Sequence, residues 1–311
     1  MTRTVAVTGA TGFIGQHLVA ALAARGWRLR LLVRALPPAL PRGAPVELVV
    51  GDIGDHPSMA RLADGVDAVV HLAGAIKALD RAAFERANRD PVAGLLAAAA
   101  PGRPHLVLLS SLAAREPGLS DYAASKRAGE DALASAGYAG RWTAIRAPAV
   151  YGPGDRETLA FFRMVQRGFA PVPAGSEGRL SLIHVADLCA AIVATLDHPP
   201  ADGVYEIDDG APAGHTLREL AAAAGAALRQ RPVVVPVPRP LMAGVAAVQQ
   251  IVARTRRHPA ILGPGKVREI FHSDWVATDH RLAAALAFRP RYDLATGFAD
   301  TVDWYVRKKW L

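Results

Sequence analysis

The chain of 311 residues contains a single cysteine, Cys189, so no disulfide can close within it and no cysteine-based zinc site can be assembled. Lysine is scarce too. Only Lys77, Lys126, Lys266, Lys308 and Lys309 stand among 36 basic residues, and the rest are arginine. Zinc-finger spacing and the basic-aromatic signatures of RNA-binding modules are missing, which removes nucleic acid from the expected partners. No apolar run reaches the roughly 18 residues of a membrane span. The nearest, Leu241 to Ala253, is interrupted by Gln249 and Gln250. The first strand-like run begins so close to Met1 that no signal peptide is expected, and the protein reads as cytoplasmic.

What is present is a globular composition, 51% hydrophobic and 21% charged. Set against 28 acidic residues, the basic ones leave a net charge of +8. With arginine so favoured over lysine and alanine so abundant, this reads as a compositional bias rather than an adaptation to polyanions.

Runs rich in Val, Ile and Leu at Thr4 to Thr8, Arg28 to Val33, Val46 to Val50, Ala68 to Leu72, His105 to Leu109 and Trp142 to Arg146 alternate with alanine-rich helical stretches. Strands alternating with helices imply right-handed crossovers and a doubly wound α/β fold with a parallel sheet. Between Phe13 and Arg25 the apolar residues recur at helical spacing, and Gly26 is placed to end that helix. After Tyr151 the chain turns rich in Pro and Gly, and beyond Thr216 it is mostly helical. The expected organisation is a dinucleotide-binding domain over 1–155, with 184–207 returning to it. A smaller, mostly helical substrate-binding region would cover 156–183 and 208–311.

The segment Thr8-Gly9-Ala10-Thr11-Gly12-Phe13-Ile14-Gly15 sits between the first strand and the first helix. Gly9 permits a tight turn, Gly12 lets the backbone approach a pyrophosphate, and Gly15 allows close helix packing. The helix N-terminus then offers N–H donors and partial positive charge to the phosphates.

Further motifs follow in order: Gly51-Asp52-Ile53, His71-Leu72-Ala73-Gly74, Ser110-Ser111, Tyr122-Ala-Ala-Ser125-Lys126, Arg146-Ala-Pro148-Ala-Val-Tyr151, His184-Val-Ala-Asp187 and Trp304-Tyr305. Together with the glycine trio they resemble the extended short-chain dehydrogenase/reductase superfamily over nearly the whole chain. The resemblance implies a Rossmann-type fold and a nicotinamide cofactor held by Gly9, Thr11, Gly12, Phe13, Ile14, Gly15, Arg34, Asp52, Ile53, Leu72, Ala73, Gly74, Tyr122, Lys126 and Pro148. The expected catalytic residues are Ser111, Tyr122 and Lys126, with Ser110 as the close alternative to Ser111. No metal is expected.

Tyr122 and Lys126 are one helical turn apart and project from one face. Adapting a phenol of pKa near 10 to neutral pH takes about 4 kcal/mol, and a neighbouring ammonium supplies part of it. The phenol then exchanges a proton with the substrate oxygen while the lysine holds the nicotinamide ribose. Tyr305 and Lys309 repeat the spacing, but without a preceding serine pair and strand they read as packing residues of a terminal amphipathic helix.

Cofactor choice rests on the end of the second strand, where an acidic residue would select NAD. Arg34 stands there instead, and a guanidinium suits a 2′-phosphate, so NADP(H) is favoured with NAD(H) as the alternative. Read without the resemblance, Arg34 is a solvated loop residue and Asp52 a strand-end turn residue. Asn88 aligns with a helix asparagine of the superfamily, although Pro91 departs from its pattern. His184 and Asp187 read as structural, and His71 carries no catalytic role.

Nucleotide-sugar members of the superfamily place an Arg-Asp pair where this chain has Leu180 and Ser181, with Arg179 one residue out of register. The resemblance is therefore stronger to the hydroxysteroid dehydrogenase and carbonyl-reductase branch. The expected activity interconverts a carbonyl and a secondary alcohol on a moderately hydrophobic small molecule. Nucleotide-sugar epimerisation or dehydration and a non-catalytic nucleotide-binding subunit are the alternatives. The run Leu241 to Val252, followed by Arg254, Arg256 and Arg257, suits a greasy entrance or a plain surface helix. The C-terminal Trp304 to Leu311, with Arg307, Lys308 and Lys309, suits packing better than peripheral membrane contact. A homodimer is a further partner state.

Overall fold

The computed structural model describes residues 3–36, 43–175, 177–256, 259–260 and 262–311. Arg257, named above, lies outside them. The elements run β1 (Thr4–Thr8), α1 (Phe13–Ala24), β2 (Arg28–Val33), β3 (Val46–Val50), α2 (His56–Ala63), β4 (Ala68–His71), α3 (Arg81–Asn88), α4 (Asp90–Ala99) and β5 (His105–Ser111). A short 3-10 turn (Leu112–Arg115), α5 (Asp121–Ser135) and β6 (Trp142–Ala147) follow. The chain continues through β7 (Ala149–Tyr151), α6 (Leu159–Gln166), β8 (Phe169–Pro173), β9 (Arg179–Leu180), β10 (Leu182–His184), α7 (Val185–Asp197) and β11 (Gly203–Glu206). It ends with β12 (His215–Thr216), α8 (Leu217–Leu228), β13 (Val233–Val237), α9 (Arg239–Arg256), α10 (Pro264–Ile270), β14 (Asp274–Trp275), α11 (Arg281–Ala285) and α12 (Leu294–Arg307).

Two compact units divide these elements: Met1–Arg146 with Cys189–Tyr205 and Arg281–Phe288, and Ala147–Leu188 with Glu206–His280 and Arg289–Leu311. The first is built on a seven-stranded sheet in the order β11-β6-β5-β4-β1-β2-β3, the doubly wound Rossmann order. The pairs β3–β2, β2–β1, β1–β4 and β4–β5 are parallel, in the register Val5 to Leu29 and Val5 to Ala68. Residues Val5, Ala6 and Val7 are fully buried on both faces of β1, which is why a continuous apolar run rather than an alternating one encodes it. One core cluster gathers Val69 and Leu106 from the sheet with Leu62, Leu95 and Leu133 from the helices. Helix starts follow sequence rules: Asp55, Asp80 and Ser120 each cap with a side-chain oxygen. Pro91 occupies the first turn of α4, where its missing N–H costs nothing, so the departure at this position separates α3 from α4.

The second unit holds an aromatic core. Phe162 meets Phe298 at 5.0 Å and Tyr305 at 5.6 Å, and Tyr151 meets Phe298 at 5.1 Å. At Gly297 a Cβ would lie 2.1 Å from the Tyr151 hydroxyl, so only glycine lets α12 pass. The Val-Pro alternation before α9 forms β13, which pairs in parallel with β8 in a two-stranded sheet.

Candidate active site

The loop after β1 is shaped by what its glycines leave out. Gly9 adopts φ +72°, and a side chain there would meet the Ala73 backbone nitrogen at 2.8 Å. The Gly12 N–H donates to the Gly9 carbonyl at 3.0 Å and closes the turn. At Gly15 a Cβ would fall 2.0 Å from the Gly9 carbonyl oxygen, so this glycine fits α1 against the turn itself. Gly12 caps α1 with no side chain, so the first-turn N–H groups of Phe13, Ile14 and Gly15 have no partner within the helix. Thr11 lies exposed on the same loop and accepts from Gln16 Nε2 through its carbonyl at 2.9 Å.

Leu72, Ala73 and Gly74 form the floor beside this turn. The Thr8 hydroxyl ties the two segments, accepting from the Ala73 N–H at 3.2 Å and sharing a hydrogen bond with His71 Nδ1 at 2.8 Å. His71 is buried, and desolvation with the nearby Lys126 charge pushes its pKa down to about 3. It is a neutral structural residue across the physiological range.

Arg34 follows β2 directly, is exposed, and makes no ion pair with any described residue. No carboxylate stands at Ala35 or Leu36 to bind a ribose 2′-hydroxyl in its place. Asp52 is exposed after β3, and its Oδ1 accepts from the Gly54 N–H at 3.0 Å in an Asx turn. Ile53 packs against the main core cluster. Pro148 links β6 to β7 and, lacking an N–H, separates them. The cradle at Gly9, Gly12 and Gly15, which side chains would fill, fits a dinucleotide pyrophosphate.

The serine pair is part of β5, not of the loop beyond it. The strand continues to Ser111, and Ser110, turned inward and 4% exposed, donates its hydroxyl to Glu130 Oε1 at 2.5 Å. Ser110 is therefore committed. Ser111 is half-buried, and its Oγ accepts from the Ala113 N–H at 3.2 Å. Its own proton is taken by no acceptor among the described residues, which distinguishes it from Ser110.

Tyr122 sits half-buried in the first turn of α5, with its ring 6.1 Å from that of Phe84. Lys126 Nζ donates to the Leu109 carbonyl at 2.6 Å, which docks α5 on β5 two residues before Ser111. Two ammonium protons remain for other acceptors. Burial pulls the Lys126 pKa down to about 8, while Glu130 opposes the shift. The ends of β1, β4 and β5 and the start of α5 thus share the carboxyl edge of the sheet, where open α/β folds bind ligands.

Two buried residues back this arrangement: Glu130, which no motif singles out, and Asn88, the helix asparagine matched above. Glu130, 2% exposed, stands one turn beyond Lys126 and receives Arg146 in a fork, Nε to Oε1 at 2.9 Å and Nη2 to Oε2 at 2.7 Å. Asn88, 4% exposed, accepts from the Ala75 N–H at 2.8 Å and donates to the Ala75 carbonyl at 3.0 Å and to Ser125 Oγ at 2.8 Å. The tyrosine-lysine register extended by a further four residues to a carboxylate is the signal that points to Glu130.

Residues outside this edge have structural partners. Asp187 accepts from the Arg291 and Tyr292 N–H groups at 3.0 and 2.9 Å, and His184 stacks on Tyr292 at 3.9 Å. Arg179 donates to the Ala213 and Gly214 carbonyls at 2.6 and 3.0 Å. Ser181 is buried and accepts from the Ala277 N–H at 3.0 Å. Among the described residues no cluster of His, Cys, Asp and Glu is arranged to hold a metal.

A ceramide reductase of Caulobacter vibrioides is 40% identical over 309 residues, covering 99% of this chain and 96% of that protein. A 4-hydroxy-2-methyl-3-oxo-4-farnesyl-3,4-dihydroquinoline-1-oxide ketoreductase of Stigmatella aurantiaca is 28% identical over 66% of this chain and 68% of its own length. Among solved structures, the UDP-glucose 4-epimerase of Thermus thermophilus in complex with NAD superposes with a TM-score of 0.74. It is 25% identical and covers 97% of this chain and 99% of its own. The sequence profile of the NAD dependent epimerase/dehydratase family matches residues 5–208. The chain belongs to that family.

Proposed function

We propose that the protein is a ketoreductase acting on a ceramide-type lipid, with Ser111, Tyr122 and Lys126 as its catalytic residues and NADPH as its preferred reductant. The end-to-end 40% identity to a ceramide reductase carries this reading. Ceramide bears a secondary hydroxyl on its long-chain base, so a reductase reaction that yields it starts from the corresponding ketone. The bound cofactor supplies the hydride. The Tyr122 phenol donates a proton to the ketone oxygen as that oxygen gains negative charge, and the Ser111 hydroxyl donates a hydrogen bond to the same atom. Lys126 holds the ribose with the protons not given to Leu109, and its positive charge favours the tyrosinate left behind, which recovers a proton from water. Arg34 supports the NADPH preference, since its exposed guanidinium suits a 2′-phosphate. The commitment of Arg179 to backbone carbonyls weakens the nucleotide-sugar alternative.

The test is to incubate the purified protein with an N-acyl long-chain base bearing a ketone, in detergent micelles, and follow loss of reduced nicotinamide absorbance with NADPH and with NADH. Stoichiometric conversion to the alcohol is expected, faster at low cofactor with NADPH, and Arg34→Ala should erase that difference. Interconversion of UDP-sugars without net consumption of cofactor would overturn the reading.

A further inference from the structure

Helix α9 presents its apolar residues to the outside. Leu241, Val245, Val248 and Val252 recur every three or four residues, with Ile251 beside them, and are 61%, 44%, 62%, 43% and 64% exposed in that order. The positions turned inward are small, Ala246 and Ala253, both buried, while Gln249 at the edge of the stripe accepts from the Leu262 N–H at 3.0 Å. An ordinary surface helix has the reverse arrangement. Pro240, Leu241, Gly244, Val245, Val248 and Gln249 also line a shallow open groove on this face. Scattered exposed aliphatics need no explanation, but a continuous stripe along one helix does.

The charge pattern identifies what covers it. From Leu220 to Arg268 the sequence contains Arg229, Arg231, Arg239, Arg254, Arg256, Arg257, Lys266 and Arg268 and not one carboxylate. The rest of the chain has 28 residues of each sign, so this segment alone carries the formal net charge of +8. A compositional bias explains arginine in place of lysine; it does not explain acids being excluded from the one stretch that contains the outward apolar stripe. A second copy of the chain would bring two such cationic segments together, which like-charge repulsion opposes. A polyphosphate strand would use the arginines and leave the aliphatic stripe in water.

We propose that α9 docks in the plane of an anionic lipid bilayer, its aliphatic stripe in the acyl boundary and the segment's excess positive charge drawing it to the headgroups. The helix is about 27 Å long at 1.5 Å per residue and lies along the surface. Among the described residues no helix is long and apolar enough to cross a membrane. Docking goes beyond the substrate reading and does not depend on it, because a docked enzyme acting on a water-soluble ketone would satisfy it equally.

Cys189 is the only cysteine and is buried, so a cysteine introduced at an exposed position can be labelled selectively with a polarity-sensitive fluorophore. The full chain carrying Val248→Cys is compared with one carrying Val306→Cys, a 54% exposed position on α12 beside the C-terminal cations. With phosphatidylcholine vesicles containing phosphatidylglycerol, the label at 248 should shift to the blue and that at 306 should not. Pure phosphatidylcholine should bind about tenfold less or weaker still. The double variant Val248→Ser with Ile251→Ser should partition about tenfold more weakly, with melting temperature and cofactor affinity in lipid-free buffer unchanged. Equal binding to both lipids, undiminished binding of the double variant, or a shift at 306 instead of 248 would overturn the proposal. So would a vesicle-free shift at 248 that grows with protein concentration, which would assign the stripe to a second copy. Cofactor affinity and micellar ketone turnover are read separately, so failure of docking and failure of the ketoreductase reading are distinguishable.

Discussion

The same four-residue step from tyrosine to lysine occurs in each unit of the chain, at Tyr122 and Lys126 and again at Tyr305 and Lys309, under opposite conditions. Tyr122 is half-buried at the start of α5, and Lys126 is anchored to Leu109 on the carboxyl edge of the sheet. Tyr305 is fully buried, donates its hydroxyl to the Asp155 carbonyl at 2.6 Å, and is stacked on Trp310 at 5.7 Å. Burial pushes its pKa up to about 12, away from any use as an acid or base near neutrality. Lys309 lies past the end of α12, exposed and with φ +59°. Spacing puts two side chains on one face only while the helix lasts. What that face meets decides whether the pair has chemistry.

The sharpest way to break this contrast is at the hydroxyls. Tyr122→Phe keeps the ring and should lower kcat by about 10²- to 10⁴-fold while cofactor affinity survives, measured by steady-state kinetics and calorimetric titration. Lys126→Met should damage both quantities. Next in size is the support behind Lys126: Glu130→Gln leaves Arg146 nearly buried without its carboxylate and should cost about 3–5 kcal/mol in denaturant unfolding. Tyr305→Phe should leave kcat where it is and cost about 1–3 kcal/mol, the penalty of an unpaired buried acceptor at Asp155. Kinetic collapse in Tyr305→Phe would reverse the assignment of the two tyrosines.

The smallest expected effect is a pH dependence. With the Lys126 pKa lowered to about 8, its ammonium is charged below that value and loses the charge above it. Affinity for the dinucleotide should therefore fall severalfold as pH rises through about 8, and Lys126→Met should flatten that limb. Stability carries the opposite sign. Between about 8 and the ordinary lysine value of 10.5 the unfolded lysine binds more protons than the folded one, so this residue's contribution to stability rises with pH. Melting curves of wild type and Lys126→Met across that window isolate it.

Much of the first unit was legible in the sequence, for a physical reason. Strands buried on both faces, such as Thr4–Thr8 and Arg28–Val33, leave continuous apolar runs bounded by turn residues, and these runs match the observed strands residue for residue. Two adjacent serines look like a turn, so the extension of β5 through Ser111 was not legible, and the partner of Ser110, Glu130, lies twenty residues away. The same holds for Arg146, whose role exists only because α5 and β6 come together. Periodicity also reveals that α9 is amphipathic without saying which side is covered. That depends on Ala246 and Ala253 fitting inward where larger neighbours do not.

Asn88 has a consequence for how the first unit orders itself. Its carboxamide closes the segment at Ala75 and, through Ser125, reaches the residue before Lys126, while a Cβ on Gly74 would clash with its Oδ1 at 2.7 Å. At Gly129 a Cβ would meet the Asn88 carbonyl oxygen at 2.7 Å, so α5 seats directly on this residue. The floor beside the glycine turn and the helix bearing Tyr122 and Lys126 therefore belong to one cooperative unit of opening and closing. Their amides should exchange with solvent at a common rate, and a ligand that slows exchange in one should slow it in the other.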